Sequence, residues 1–312
     1  MIAVEQLGKR FGRQVAVADV SFSVPKGEIF GFVGPNGAGK TTTIRVLATL
    51  TPADRGRATI GGIPVGEDPA AVRALVGYMP DFFGVYDRLT SEEYLEFYAA
   101  CHGIPRSRRR RVASELLDLV DLGDRREAQV DTLSRGMKQR LCLARALVHD
   151  PSVLLLDEPA SGLDPRARVE MRELILELRR MGKTILVSSH ILPELEELCT
   201  WVGFIDHGRM VAVGPMADVR DRVAAGRRLR VDLVSPDGDS LLHVTELVSG
   251  RQGVVDAQVV DDHVELVVAD AFEDHELLAI LVNKGLKVRS FAVIEGDLSE
   301  AFMRLTGESR PL

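Results

Sequence analysis

The stretch IFGFVGPNGAGKTTTIRVLATL, residues 29–50, constrains the fold of this chain more than any other. Ile29–Val33 is a short apolar run of strand type, and TIRVLATL carries the apolar spacing of a helix. Between them lies Gly34-Pro35-Asn36-Gly37-Ala38-Gly39-Lys40-Thr41, the pattern G-x-x-x-x-G-K-[ST] in the strand–loop–helix setting it requires. Glycines let backbone N–H groups curl around an anion, and the helix N-terminus adds a favourable dipole. The anion that suits this loop is the phosphate chain of a nucleoside triphosphate. Residues Gly34 to Thr42 are expected to contact it, with Lys40 reaching the β- and γ-phosphates and Thr41 ligating Mg²⁺.

A second apolar run, VLLLDEP at 153–159, ends in Asp157 and Glu158. Four consecutive aliphatics fit the centre of a parallel sheet, whose ligands sit off the strand C-termini. There Asp157 is expected to hold Mg²⁺, and Glu158 to orient or deprotonate the attacking water. A third run, KTILVSSH, ends at His190, which the same sheet edge would bring towards the γ-phosphate.

The stretch LSRGMKQRLCLARAL at 133–147 also has helical spacing, with Ser134 a good N-cap. Its first turns carry Arg135, Lys138 and Arg140, where the macrodipole favours acids, and Gly136 sits in the first turn. Positive charge and bare backbone at a helix start suggest a second anion site.

Composition limits the alternatives. A net charge of -7 argues against nucleic acid as a bulk electrostatic partner. Cys101, Cys142 and Cys199 show no paired spacing, which suggests reduced thiols in a cytosolic protein. The N-terminus lacks signal-peptide character, and no run approaches the ~18 apolar residues of a membrane span.

Together these segments resemble the ATP-binding subunits of ABC transporters over roughly residues 1–216, with five motifs in the family's order. GPNGAGKT corresponds to the Walker A loop, LSRGM to the LSGGQ signature, VLLLDEP to Walker B, SGLD at 161–164 to the D-loop and His190 to the switch histidine. The resemblance implies that Phe11 stacks on adenine. It also implies that Ser134 and the N–H of Gly136 meet the γ-phosphate of ATP held by a second copy, giving a homodimer with ATP at its interface. Two departures stand out: Arg135 and Met137 replace the usual Gly and Gln, and GYMPD places Asp81 where a glutamine normally lies near Mg²⁺. Asp81 is expected either to ligate Mg²⁺ or to cap the following turn. The MPD form favours the branch that pairs with ABC-2-type export permeases.

The fold expected is α/β: an ABC-type P-loop ATPase domain at 1–216 with an antiparallel β subdomain and a helical subdomain at about 84–150. A linker at 217–228 and a small α+β domain at 229–312, ferredoxin-like in its β-α-β-β-α-β order, would follow, the latter regulatory or dimer-stabilising. A closing helix is expected in DLSEAFMRL. The arginine-rich run Arg106–Arg111 reads as solvated surface rather than a nucleic-acid or lipid patch. Phe83, Tyr86 and Leu89 are open to two readings, a permease dock or ordinary packing. The resemblance implies an ATPase, with ATP and Mg²⁺, that drives an integral membrane permease on a separate chain from the cytoplasmic face of the membrane. The alternatives are a non-transport ABC ATPase acting on a soluble, ribosomal or nucleic-acid partner, and a sensor that binds ATP without turnover.

Overall fold

Glu93 reaches back to the backbone N–H of Thr90 (2.9 Å), while the Thr90 hydroxyl accepts from the Glu93 N–H (3.2 Å). This capping box starts a helix where the sequence TSEE announces one. Such local signals are obeyed along most of the computed structural model, which describes residues 1–81, 88–223, 227–269 and 272–294. Phe83, Tyr86 and the segment DLSEAFMRL lie outside the described residues. The chain divides into two units, Met1–Met216 and Ala217–Leu312.

In chain order the described elements are β1 (Ile2–Phe11), β2 (Gln14–Val24), β3 (Ile29–Val33), α1 (Lys40–Leu47), β4 (Arg55–Ile60), β5 (Ile63–Pro64), α2 (Pro69–Leu75) and β6 (Val76–Met79). Next come α3 (Ser91–Cys101), α4 (Arg106–Leu119), α5 (Arg135–Leu147), β7 (Val153–Asp157), α6 (Pro165–Arg180), β8 (Thr184–Ser189), α7 (Leu192–Glu196), β9 (Trp201–Asp206), β10 (Arg209–Pro215) and α8 (Met216–Val223). The rest are β11 (Arg227–Leu233), α9 (Gly238–Val248), β12 (Val254–Val260), β13 (His263–Val268), α10 (Asp274–Asn283) and β14 (Val288–Ile294).

The first unit carries a ten-stranded sheet in the order β5-β4-β1-β2-β10-β9-β3-β8-β7-β6. Its β3, β8, β7 and β6 are mutually parallel, whereas β2, β1, β4 and β5 pair antiparallel. Every residue of β3, β7 and β8 is buried, as expected of parallel strands covered on both faces. Register then fixes the functional edge: Val33 lies opposite Ser189, and Asp157 opposite Ser188, so three strands end level with one another. A separate core of Tyr94, Leu95, Ala113, Leu117, Leu141 and Ala144 joins α3, α4 and α5. Leu89 packs on its margin. Arg106, Arg108, Arg110 and Arg111 are exposed at the start of α4, and Arg109 is half-buried.

The second unit has its own four-stranded antiparallel sheet, ordered β12-β13-β11-β14, with α9 and α10. Leu229, Val231, Val244, Leu266, Leu277 and Leu281 form its core. Asp261 turns the β12–β13 hairpin with φ +48°, the left-handed conformation that Asp tolerates. The stretch read as linker is mostly regular structure: the helix Met216–Val223 runs into it, with Val219 buried, and Arg227 already begins β11.

Candidate active site

The phosphate loop takes its shape from two glycine positions. Gly39 precedes α1 with φ +111°, and a Cβ there would lie 2.6 Å from the Ala16 carbonyl oxygen. At Gly34 a Cβ would stand 2.2 Å from the Ile205 carbonyl oxygen, so this residue is packed against β9. No side chain caps α1 and no acid occupies its first turn, which leaves the N–H groups there for a ligand.

Lys40 Nζ is buried (6% exposed) and donates to the carbonyl oxygens of Gly34 (2.6 Å) and Pro35 (3.3 Å). It also lies 3.4 Å from Glu158 Oε1. The other Glu158 oxygen is 2.9 Å from His190 Nδ1. Glu158 adopts φ +51°, a left-handed conformation unfavourable for a β-substituted residue, so the fold holds this carboxylate in place at a cost of order 1–3 kcal/mol.

Asp157 is fully buried. One of its carboxylate oxygens accepts from Ser188 Oγ (2.7 Å) and Thr41 Oγ1 (3.2 Å), while Oδ2 has no partner. Burial pushes this carboxyl up from the ordinary range; the Ser188 and Thr41 hydroxyls oppose the shift, and the charges of Asp81 and Glu158 add to it. An orphaned buried oxygen beside a threonine hydroxyl is what a hard cation would satisfy. Among the described residues no cluster of three His, Cys, Asp or Glu could hold a metal alone, so such a cation needs oxygens from the ligand as well.

Lys40 and Glu158 line a cavity of about 380 Å³ together with Phe11, Gln14, Ala16, Pro35, Asn36, Gly37, Gly39, Thr41, Thr42, Asp81, Ser161 and His190, whereas Asp157 is buried behind Thr41 and is not part of the lining. Phe11 is half exposed at its rim, with Lys9 Nζ 5.5 Å from the ring centre. Two residues expected to touch phosphate do not line it. Gly34 lies beneath, accepting from Lys40, and Ala38 is buried, its carbonyl accepting from the Gly208 N–H. Sequence reasoning missed Ser188, whose Oγ binds Asp157 and accepts from the Glu158 N–H (3.0 Å); the hydroxyls of VSSH at a strand end were its only trace.

Ser134 caps α5, accepting from the Met137 N–H at 3.3 Å. Within one chain the structure does not bring Ser134 and Gly136 to the phosphate loop. They line a second cavity of about 220 Å³ with Arg135, Met137 and residues of the 162–170 stretch. The crowding of positive charge at this helix start has a partly different cause from the one expected. Lys138 donates to the Asp131 carbonyl (2.8 Å), and Arg140, 9% exposed, binds the Val120 and Asp121 carbonyls and the Asp121 carboxylate. Those two cations satisfy backbone carbonyls just past the end of α4 and in the turn before α5. Arg135 instead donates to the Ser161 carbonyl at 2.9 Å.

A buried parallel sheet that delivers a glycine-rich loop, a lysine and paired carboxylates to one edge defines a P-loop nucleoside triphosphatase. The family model described as "ABC transporter" matches residues 17–161. Over its full length the chain is similar to the linearmycin resistance ATP-binding protein LnrL of Bacillus subtilis, at 32% identity covering 99% of each chain. It is 35% identical to the daunorubicin/doxorubicin resistance ATP-binding protein DrrA of Streptomyces peucetius, covering 98% of this chain and 92% of that one. It is 34% identical to the Nod factor export ATP-binding protein I of Ralstonia nicotianae, covering 98% and 94%. Among solved structures it resembles an ATP-binding subunit of an ABC transporter, with TM-score 0.64 and 32% identity over 71% of this chain and 92% of that one. The chain belongs to the ATP-binding subunits of the ABC transporter family. As in that family, it is an ATPase. No described helix is long and apolar enough to cross a membrane.

Proposed function

We propose that this chain binds Mg·ATP in the phosphate-loop cavity, closes on a second copy of itself, and uses the cycle of closure and hydrolysis to drive a membrane permease encoded separately. The observation that carries this reading is the convergence on one sheet edge of Lys40, the half-satisfied Asp157 and the Glu158–His190 pair. Lys40 and the first-turn N–H groups of α1, with Thr42, hold phosphate oxygens, while Phe11 meets the base. Thr41 and Asp157, with Asp81 beside them, hold Mg²⁺, which when bound neutralises charge building on the phosphate oxygens. Glu158 takes the proton of the attacking water, and His190 fixes the carboxylate that does so. Ser134 and the Gly136 N–H complete the phosphate shell of the second copy, which explains why they lie apart from the loop in one chain.

Relatives named for linearmycin and daunorubicin/doxorubicin resistance and for Nod factor export support export as the direction, and the MPD loop at Asp81 favours an ABC-2-type permease as the partner. The chain would then work at the inner face of the cell membrane, held there by the permease, with the 229–312 region regulating or stabilising the dimer. The test is the mass of Glu158→Gln protein in solution by light scattering. Addition of Mg·ATP should double it, and Ser134→Ala should oppose that doubling. A mass that stays at one chain with ATP bound would refute the closed homodimer.

A further inference from the structure

Ser161 lines the cavity of Lys40, Glu158 and His190, whereas its neighbour Gly162 lines the cavity at the start of α5. The turn between them is therefore a wall shared by the two surfaces. Its backbone is held on both sides: the Ser161 N–H donates to the Glu158 carbonyl at 3.1 Å, and from α5 Arg135 Nη2 donates to the Ser161 carbonyl at 2.9 Å and Gln139 Nε2 to the same oxygen at 3.3 Å. Gly162 has φ +66°, and a Cβ there would lie 2.4 Å from the Arg135 guanidinium carbon. The guanidinium thus occupies the space that any other residue at 162 would fill. Gln139 is buried and its Oε1 has no partner, so it adds a single donor to the grip. Among the described residues no carboxylate pairs with Arg135, which leaves the Ser161 carbonyl as its anchor.

We propose that Arg135 is a positioning residue for hydrolysis: seated on Gly162, it holds the Ser161 carbonyl and so sets the wall of the catalytic cavity from the start of α5. The proposal rests on the reading of that cavity as the ATP site. Arg135 acts through the 161–162 backbone rather than on a reacting atom. Its loss therefore alters turnover and leaves the phosphate loop, and with it nucleotide affinity, as it was.

The test is a double-mutant cycle on the full chain with Arg135→Gly, Gly162→Ala and both together. Nucleotide affinity is read with a fluorescent ATP analogue, and turnover by phosphate release. Arg135→Gly should lower kcat about tenfold, the loss expected when one charge-assisted hydrogen bond is removed, with affinity unchanged within about twofold. Arg135→Lys should recover only part of this loss, because an ammonium lacks the planar fork that spans Gly162. Gly162→Ala should lower kcat too, but the double variant should be no slower than the slower single variant. Were the alanine to act only through backbone strain, it would slow the Arg135→Gly background by the same factor, and that additivity overturns the proposal. Wild-type kcat in Arg135→Gly also overturns it. So does loss of ATP-driven dimerisation on removal of Arg135 but not on Gly162→Ala, since that pattern puts Arg135 on the phosphate of the second copy. A wild-type chain that binds no ATP refutes the reading of the cavity, and the role of Arg135 with it.

Discussion

Glu158→Gln should separate two consequences of one charge. The Glu158 carboxylate lies 3.4 Å from Lys40 Nζ, with side chains 11% and 6% exposed. Two unit charges at that distance attract by about 5 kcal/mol at an effective dielectric of 20, which is a ceiling for the pair. The glutamine keeps an oxygen that can accept from Lys40, and Lys40 retains its bonds to the Gly34 and Pro35 carbonyls. A net loss of about 1–2 kcal/mol in the ligand-free state is left, or about 2–8 °C in Tm for a domain of this size. ATP reverses the sign, because phosphate oxygens replace the lost partner of Lys40 and no carboxylate remains to repel them. At about 100 times Kd the nucleotide stabilises by about 2.7 kcal/mol, enough to bring the variant level with the ligand-free wild type or above it. Turnover falls about 10²–10⁴-fold, since the proton of the attacking water has no base. The assay is thermal unfolding with and without Mg·ATP, alongside phosphate release. An unchanged ligand-free Tm together with turnover within tenfold of wild type would remove Glu158 from both roles.

Gly34→Ala should cost about 2–4 kcal/mol and abolish nucleotide binding, because its Cβ meets the β9 backbone 2.2 Å away; denaturation and an ATP titration check both. Asp81→Gln should retain ATP binding but shift the Mg²⁺ concentration needed for turnover, and a titration unchanged in both respects would take Asp81 out of the metal site. His102 and His149 stack with ring centres 4.0 Å apart and planes 4° from parallel. Burial holds both imidazoles below the usual histidine range, and the two rings oppose each other's charge at His149. Because these pKa values are lowered on folding, the unfolded chain takes up protons first as pH drops below about 6.5, and stability is lost on the acid side. His149→Asn should therefore flatten the fall of Tm between about pH 7 and 5, whereas parallel curves would show that the pair does not titrate in this way.

The sheet edge that gathers Lys40, Asp157, Glu158 and His190 was legible because each of its parts is written in a contiguous run. An apolar strand, its terminal polar residue and the following turn travel together, and β3, β7 and β8 must end level once they pair in parallel. Ser188 was not legible, since a serine at a strand end looks the same whether it faces solvent or binds Asp157. The packing of Gly34 and Ala38 was hidden for a similar reason: the loop pattern names the residues, but only the approach of β9 shows which of them pack and which line the cavity. Lys138 and Arg140 were misread because the carbonyls they bind lie on segments up to twenty residues earlier, and a long side chain carries no mark in sequence of where it turns. In the second unit the strand and helix segments alternated clearly enough to give the element order, yet the helix Met216–Val223 was concealed by a polar, glycine-containing neighbour.

The most direct test of the central claim is capture from native membranes with tagged Glu158→Gln chain in Mg·ATP, followed by identification of what is retained in stoichiometric amount. A polytopic membrane protein should be retained with ATP and released when Lys40→Ala is added to the same variant. Retention of only soluble proteins, ribosomes or nucleic acid would leave the ATPase chemistry standing and contradict the coupling to a permease.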